Sequence, residues 1–336
     1  MQTERLLLKI ALSTIYSLSL KEKINLAKTL DNLHDLALHS SIETIEAKIG
    51  RPLLAKSWNP EENARLAKAA FSRMDALGIS CVFFDEKEFP SMLREINDPP
   101  YALFFRGDLK ILEGSCVSVV GTRKITGGAK IAAHDFSYDA ASDGTTVVSG
   151  LALGVDGEAH RGALDAFFDG KTSVAKTAAV LAGGVDNIYP VRHKKIAAQI
   201  LQNGGCILSE SAPGIPSEKW RFVQRNRICA GLSRATIVIQ APPGSGSLIT
   251  ADFALGYNRE LLFHEACFSN EANAISKMVR ANLAGKEGSA ARKKIEANCE
   301  RYVSDGAEIV KSYKDFCEKI SSVPGMKNSD ATRELF

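Results

Sequence analysis

Residues 116–150 read CVSVVGTRKITGGAKIAAHDFSYDAASDGTTVVSG, and this stretch decides the fold. An apolar, β-branched run, CVSVVG, passes through a glycine-containing loop into a helical segment around 128–142. A second run, TTVVSG, follows. Both runs are apolar on successive residues, without the in–out alternation of a half-exposed sheet. That pattern belongs to parallel strands covered by helices on both faces. The alternation continues outward. TTVVSG leads to a helix around 156–169, TAAVLAGG to one around 193–203, GCILSE to one around 220–232 and ATIVIQ to one around 247–258, and ELLFHE closes the series. The expectation is an α/β chain with a doubly wound, mostly parallel sheet.

Two further apolar runs, ISCVFFD and YALFFRG, stand ahead of this series, the second preceded by Pro99 and Pro100. Upstream of them the period is helical. Leucines and isoleucines recur at helical spacing in 5–20 and 24–38. SIETIEAKIG carries a capping-box pattern, Ser41 with Thr44 and Glu46 nearby, and ends at Gly50. NPEENARLAKAAFSRMDALG has an Asn59 cap, Pro60 at the first helical position and a stop at Gly78. Residues 1–75 are therefore expected to form a small all-helical domain, and 76–320 the α/β domain. Residues 270–298 are charged and alanine-rich and read as a helical insertion. RYVSDGAEIVKSYKDFCEKI returns to a strand–turn–helix pattern, and 321–336 reads as a tail.

The 336 residues are 45% hydrophobic and 24% charged, which supports a sizeable core and excludes global disorder. The net charge of +3 is too small for a polycation, so any anion site must be a local patch. Seven cysteines, at 81, 116, 206, 229, 267, 299 and 317, include no CxxC pair. That pattern fits a reduced, cytoplasmic chain in which they serve as small apolar side chains. RLLLKIALSTIYSLSL near the N-terminus is interrupted by Lys9 and lacks a small-residue cleavage site, so it reads as a buried helix and not a signal peptide. No apolar stretch reaches membrane-spanning length.

In an open α/β sheet ligands gather beyond the carboxyl ends of the strands. There the sequence places VVGTRKITGG, VVSGLALGVDGEAH, VLAGGVDNIYPVRH, LSESAPGIPSEKWRF and VIQAPPGSGSLIT. Three are glycine-rich and lead into helices, where free amides and close backbone approach favour anions. The candidates are Gly121, Thr122, Ser149, Gly150, Gly244, Ser245, Gly246 and Ser247, with Arg123 as a fixed, bidentate cation. KWRFVQRNRICAGLSR adds Lys219, Arg221, Arg225, Arg227 and Arg234, beside Trp220 and Phe222. Such a segment is either a solvated helix face or a place where phosphates are neutralised and bases stacked. Either aromatic ring can instead pack inward.

Catalytic motifs are sparse. Asp156 and His160 lie four apart on one face, as an acid–base pair or half a metal site would. No third ligand is spaced nearby, so the simpler reading is that Asp156 caps its helix and His160 bonds locally. GSGS lacks the GK[ST] ending of a Walker loop, GxGxxG is absent after the first strand, and no GxSxG elbow occurs. Neither a cofactor nor a metal is expected.

Taken together, SVVGTRKITGG, TVVSGLALGVDGEAHRGAL, AVLAGGVDNIYPVRH, ILSESAPGIPSEKWRFVQRNRICAGLSRATIVIQA and GSGSLITADFALGYNRE resemble the DprA/Smf family of DNA-processing proteins, in order over about 79–265. FPSMLREINDPPYALFFRGDL fits the family's lead-in, and the N-terminal helices resemble its small SAM-like domain. The resemblance implies an extended Rossmann-type domain that binds single-stranded DNA, forms a homodimer and helps load a RecA-type recombinase during natural transformation. It implies that Arg123 grips phosphate, that Lys219 and Phe222 contact the strand, and that Arg225, Asn226 and Arg227 form the family's RNR segment. The chain departs from the pattern at Leu153, where a basic residue is usual, and at Ala129, where a glycine is usual. It departs again at LLFHEACFSNEANAIS, where the family reads VFAVPG. The winged-helix domain of some members is not expected after residue 320.

A second function class is a nucleotide-binding or nucleotide-processing enzyme on a related fold. It would need a carboxylate near the phosphate loop. Leu248, Ile249, Thr250 and Ala251 fill the turn after GSGS and Asp252 comes only later, which leaves Asp156 and Glu158.

Overall fold

The computed structural model describes residues 2–53, 58–285 and 288–322. Helices α1 (Gln2–Ser13), α2 (Leu20–Thr29), α3 (Leu33–Leu38), α4 (Ile42–Ile49) and α5 (Pro60–Leu77) come first. Their ends follow local chemistry. Ser41 and Thr44 form the capping box of α4, and Asn59 Oδ1 accepts the Glu62 amide at 2.9 Å to start α5. Gly78, at φ +60°, ends α5 in the left-handed region.

Next are β1 (Ser80–Phe83), α6 (Ser91–Arg94) and β2 (Ala102–Gly107). The alternating series runs β3 (Cys116–Gly121), α7 (Gly127–Ser142), β4 (Thr146–Ser149), α8 (Val155–Phe168), β5 (Thr177–Val180) and α9 (Lys194–Gln202). It continues with β6 (Cys206–Ser209), α10 (Lys219–Gly231), β7 (Ala235–Gln240), α11 (Gly246–Gly256) and β8 (Glu260–His264). The insertion supplies α12 (Asn270–Ala284) and α13 (Ser289–Glu296), then come α14 (Cys299–Ser304), β9 (Glu308–Val310) and α15 (Tyr313–Ser322). RYVS, expected to open with a strand, is instead the helix α14. Asn298 Oδ1 caps it through the Arg301 amide at 3.0 Å, and Tyr302 packs into the core. Beyond Ser322 the expected tail lies outside the described residues.

Among the described residues the strands form one nine-stranded sheet in the order β1-β2-β6-β5-β4-β3-β7-β8-β9. From β6 to β9 every neighbouring pair is parallel. β2 joins β6 antiparallel and β1 joins β2 antiparallel, so the sheet is mixed but mostly parallel. One face is covered by α7, α8 and α15, around Val117, Phe136, Ala159, Ile237 and Phe316. On the same face the N-terminal helices share a continuous core with the sheet, in which Leu8, Leu12 and Leu36 join Phe104, Ala179 and Ile207. On the opposite face Ile228 and Cys229 of α10 pack on Val148, Val180 and Leu208, and α11 and α14 pack on Val120, Val238 and Phe263. Both faces are therefore wound.

The chain steps from β3 through β4 and β5 to β6, then returns to the other side of β3 as β7. The loops after β3 and β7 leave toward opposite faces, to α7 and α11. The crevice between them is the topological switch point, where this class of sheet binds ligands.

Candidate nucleic-acid interface

The switch point opens into a trough of about 720 Å³. Gly121, Thr122 and Arg123 line it from the loop after β3, and Pro242 to Ser247 from the loop after β7. Lys219, Phe222, Arg225 and Asn226 line it from α10, and Tyr189 from the loop after β5. Arg123 and Lys219 thus share one concave surface. Both are exposed, and neither has an ion-pair partner among the described residues. The Arg123 guanidinium lies over the Phe222 ring at 5.3 Å from the centroid, and the Tyr189 ring meets Phe222 edge-on at 5.7 Å.

The trough ends on two helix starts without side-chain caps. Glu218 precedes α10 and Ser245 precedes α11, and neither side chain accepts a first-turn amide. The Ser245 hydroxyl instead meets that of Ser247 at 2.8 Å. Unclaimed amides and the positive end of the helix dipole favour an anion at this point. Asn226 Nδ2 donates to the Gly246 carbonyl at 3.2 Å and ties α10 to this loop. The Gly244 amide donates to the Ala297 carbonyl at 2.8 Å, which ties the loop to the end of the insertion.

Beneath the lip, the loop after β4 is fixed by buried polar groups. The expectation that Asp156 caps α8 fails. Gly154 holds that position, and Asp156 Oδ2 reaches back to accept the amides of Gly150 at 3.1 Å and Ala152 at 3.3 Å. Between them Leu151 adopts φ +55°, and its carbonyl accepts His193 Nδ1–H at 2.9 Å. Arg225 Nη1 stands 3.8 Å from Asp156 Oδ2, with both side chains buried. Burial pushes the Asp156 carboxyl upward, opposed by Arg225 and by the two amides. Arg225 lies so close to Gly150 that a Cβ there would fall 1.1 Å from Nη1.

His160 does not bond locally either. Its Nδ1 lies 2.7 Å from Thr177 Oγ1 on β5. Because that hydroxyl already donates to the Val147 carbonyl, the imidazole is the donor. Burial, then the neighbouring His193, Arg225 and Arg161, push its pKa down to about 3, so it stays neutral.

Several sequence candidates fall outside the trough. Ser149 is fully buried, and its hydroxyl donates to the Val119 carbonyl at 2.6 Å. Gly150 lies behind Arg225. Arg227 points away to pair with Glu210 and, at 3.4 Å, with Asp98. Arg221 lies under Tyr16 and Trp220 on the helical module's side. Arg234 precedes β7, at the opposite edge of the sheet. Successive residues on a helix turn by about 100°, so one basic segment supplies cations to three directions. Tyr189, Pro242 and Pro243 escaped the sequence reading. For Tyr189 the available signal was an aromatic beside a proline in a loop on the same sheet edge.

The carboxylates an enzyme would need here are engaged. Asp156 holds the loop amides, Glu158 pairs with Arg161 at 2.6 Å, and Asp252 accepts the Tyr302 hydroxyl at 2.6 Å. Among the described residues no group of three His, Cys, Asp or Glu side chains is placed to hold a metal ion. No described helix is long and apolar enough to cross a membrane.

Comparison with known proteins gives a consistent result. The sequence model of the family described as DNA recombination-mediator protein A matches residues 80–321. The DNA processing protein DprA of Bacillus subtilis is 34% identical over 246 residues, covering 73% of this chain and 74% of the relative. Protein Smf of Escherichia coli is 38% identical over 177 residues, 53% of this chain but only 46% of the relative. The solved structure of DprA from Streptococcus pneumoniae superposes with a TM-score of 0.65 at 26% identity, over 93% of this chain and 95% of that one. DNA processing protein A from Helicobacter pylori, solved to explain its single-stranded DNA binding mode, gives 0.54 at 26% identity over 72% and 94%. A matched family model over most of the α/β region and a shared fold with solved members, in a chain whose glycine-rich loops meet at the switch point, place this chain in the DNA recombination-mediator protein A (DprA/Smf) family.

Proposed function

We propose that the trough holds single-stranded DNA and that the chain serves recombination by delivering that strand to a RecA-type recombinase, as a homodimer in the cytoplasm. The observation that carries the reading is the grouping of unpaired Arg123 and Lys219 around the Phe222 ring in one concavity. Cations that neutralise phosphates, beside an aromatic face that accepts any base, are the elements of sequence-tolerant single-strand binding. The uncapped starts of α10 and α11 add phosphate-binding amides. Family membership supports the recombinase partner and the role in transformation. The Helicobacter pylori relative, described for its single-stranded DNA binding mode, supports the ligand.

Gly121, Thr122, Gly244, Gly246 and Ser247 serve as backbone walls, and Asn226 holds the walls together. Arg225 supports the floor from below. A salt titration of the purified chain with single-stranded DNA, duplex and mononucleotide tests the proposal. The single strand is expected to bind tightest at every salt concentration. A duplex bound equally well would refute it.

A further inference from the structure

A second cavity, of about 630 Å³, lies in the seam between the helical module and the sheet. It and the trough share α10. Lys219, Phe222 and Asn226 line the trough, whereas Trp220, Gln224 and Arg227, at helical spacing, line the seam. Lys23 of α2 lines it too and is 8% exposed. Among the described residues its ammonium has no hydrogen-bond acceptor and no carboxylate within ion-pair distance; the Tyr101 ring lies 5.8 Å away, and Glu210 acts on it only through space. The two carboxylates in the seam are committed elsewhere. Glu210 pairs with Arg227, and Asp98 forms an ion pair with Arg227 and accepts from the Tyr257 hydroxyl.

A largely buried ammonium with no direct partner is costly: burial pushes its pKa down to about 8, opposed by Glu210 and aided by the Arg227 charge. An anion in the cavity would supply the missing partner. The wall beside it is aromatic. Trp220 is 45% exposed and meets Tyr16 edge-on at 5.5 Å. An anion attached to a flat ring fits both features, and the volume lies within the roughly 300–1,000 Å³ of small-ligand pockets.

We propose that the seam cavity binds one nucleoside-phosphate unit, with its phosphate on Lys23 and its base against Trp220. The unit is either a free mononucleotide or a segment of a strand that crosses the first turn of α10 from the trough. Only the second source rests on the function proposed above.

The chain contains two tryptophans, Trp58 and Trp220, so Trp58→Phe leaves Trp220 as the sole indole reporter. Thymidine monophosphate and an oligothymidylate of ~12 nucleotides are each titrated against its fluorescence. Strand binding is followed separately by anisotropy of a labelled oligonucleotide. Saturable quenching is expected, with the midpoint raised about ten-fold in Lys23→Met, the loss of one charge-assisted contact. Inorganic phosphate is expected to relieve the quench in the chain that keeps Lys23, and this arm decides the matter if Lys23→Met melts early. Quenching by the mononucleotide assigns a free nucleotide, and quenching by the oligonucleotide alone assigns a strand segment. Absence of quenching by either ligand overturns the proposal. So does a quench that neither Lys23→Met nor inorganic phosphate alters. If anisotropy shows no strand binding, the trough reading fails while the mononucleotide arm still decides the seam.

Discussion

Arg123 and Phe222 meet face to cation, with the guanidinium carbon 5.3 Å from the ring centroid, although one follows β3 and the other rides on α10. The contact joins the two sides of the switch point. It also holds Arg123 extended over the trough before any ligand arrives. Arg123→Ala should therefore weaken single-strand binding for every sequence and lower the salt slope by ~0.7, the share of one phosphate on a single strand. Phe222→Ala should cost ~1–3 kcal/mol of binding with little change in slope, because it removes stacking and not charge. Fluorescence anisotropy at several salt concentrations separates the two. Equal slopes in Arg123→Ala and the parent chain would remove Arg123 from the phosphate contacts.

Arg227 lies in the same RNR triplet and is expected to behave in the opposite way. Its guanidinium is committed to Glu210 and Asp98 and lines the seam. Arg227→Met strands two partly exposed carboxylates, and a loss of about 1–3 kcal/mol in urea unfolding is expected. The salt slope for an oligonucleotide short enough to lie in the trough alone should not move. A fall in slope equal to that of Arg123→Ala would return Arg227 to the phosphate track.

Gly150→Ala should be destabilising out of proportion to one methyl group. A Cβ there falls 1.1 Å from Arg225 Nη1, and Arg225 sits 5% exposed beside the buried Asp156. The guanidinium must shift in a packed interior, at a cost of ~1–3 kcal/mol. Strand affinity should fall in step, because Arg225 supports the trough floor. Thermal melts and anisotropy on the same variant check both. A variant as stable as the parent would mean the floor yields freely.

The sheet and its winding were legible because each parallel strand is apolar on both faces and each helix start carries a turn signal. CVSVVG and ATIVIQ could be read without knowing which strand each pairs with. Asn59 and Gly78 bound α5 because capping is local chemistry. The site was only half legible. Arg123 and Lys219 follow from loops on one sheet edge, but the fates of Arg221, Arg225 and Arg227 depend on helix rotation and on distant partners such as Tyr16 and Glu210. The cap of α8 stands at Gly154, two positions before the expected Asp156. Gly154, at φ +80°, takes the cap because a Cβ there would meet the Thr122 carbonyl at 2.2 Å. That close approach of two loops leaves no mark on local sequence.

His160 gives the fold a defined weakness in acid. Its pKa is about 3 in the folded chain, below the ordinary value of 6.5. Between those values the unfolded chain takes up a proton that the folded chain refuses. The stability is therefore complete above pH ~6.5 and lost as pH falls toward ~3, at up to ~1.4 kcal/mol per pH unit. His160→Gln keeps a donor for Thr177 but has no proton to gain. Its stability should fall more gently over that window than the parent's. Parallel urea melts between those limits measure the difference, and coincident acid limbs would show that another group controls them.

Arg221, in the first turn of α10, fastens the helical module to the α/β domain. It is 8% exposed, donates to the Tyr16 hydroxyl at 2.5 Å, and lies 4.8 Å from the Tyr16 ring and 4.2 Å from that of Trp220. A second tether stands farther along the seam, where Lys9 pairs with Glu86 at 2.7 Å and covers the Phe83 ring at 4.2 Å. The modules also share a continuous apolar core, so losing one tether should loosen the seam without detaching it. Arg221→Leu should speed amide exchange in α1 and α2 about ten-fold, as expected for one charge-assisted bond, while protection in β3 and β7 stays unchanged. Hydrogen exchange read by mass spectrometry resolves the two regions. Equal acceleration in the sheet would mean that Arg221 stabilises the whole molecule and does not act as a local tether.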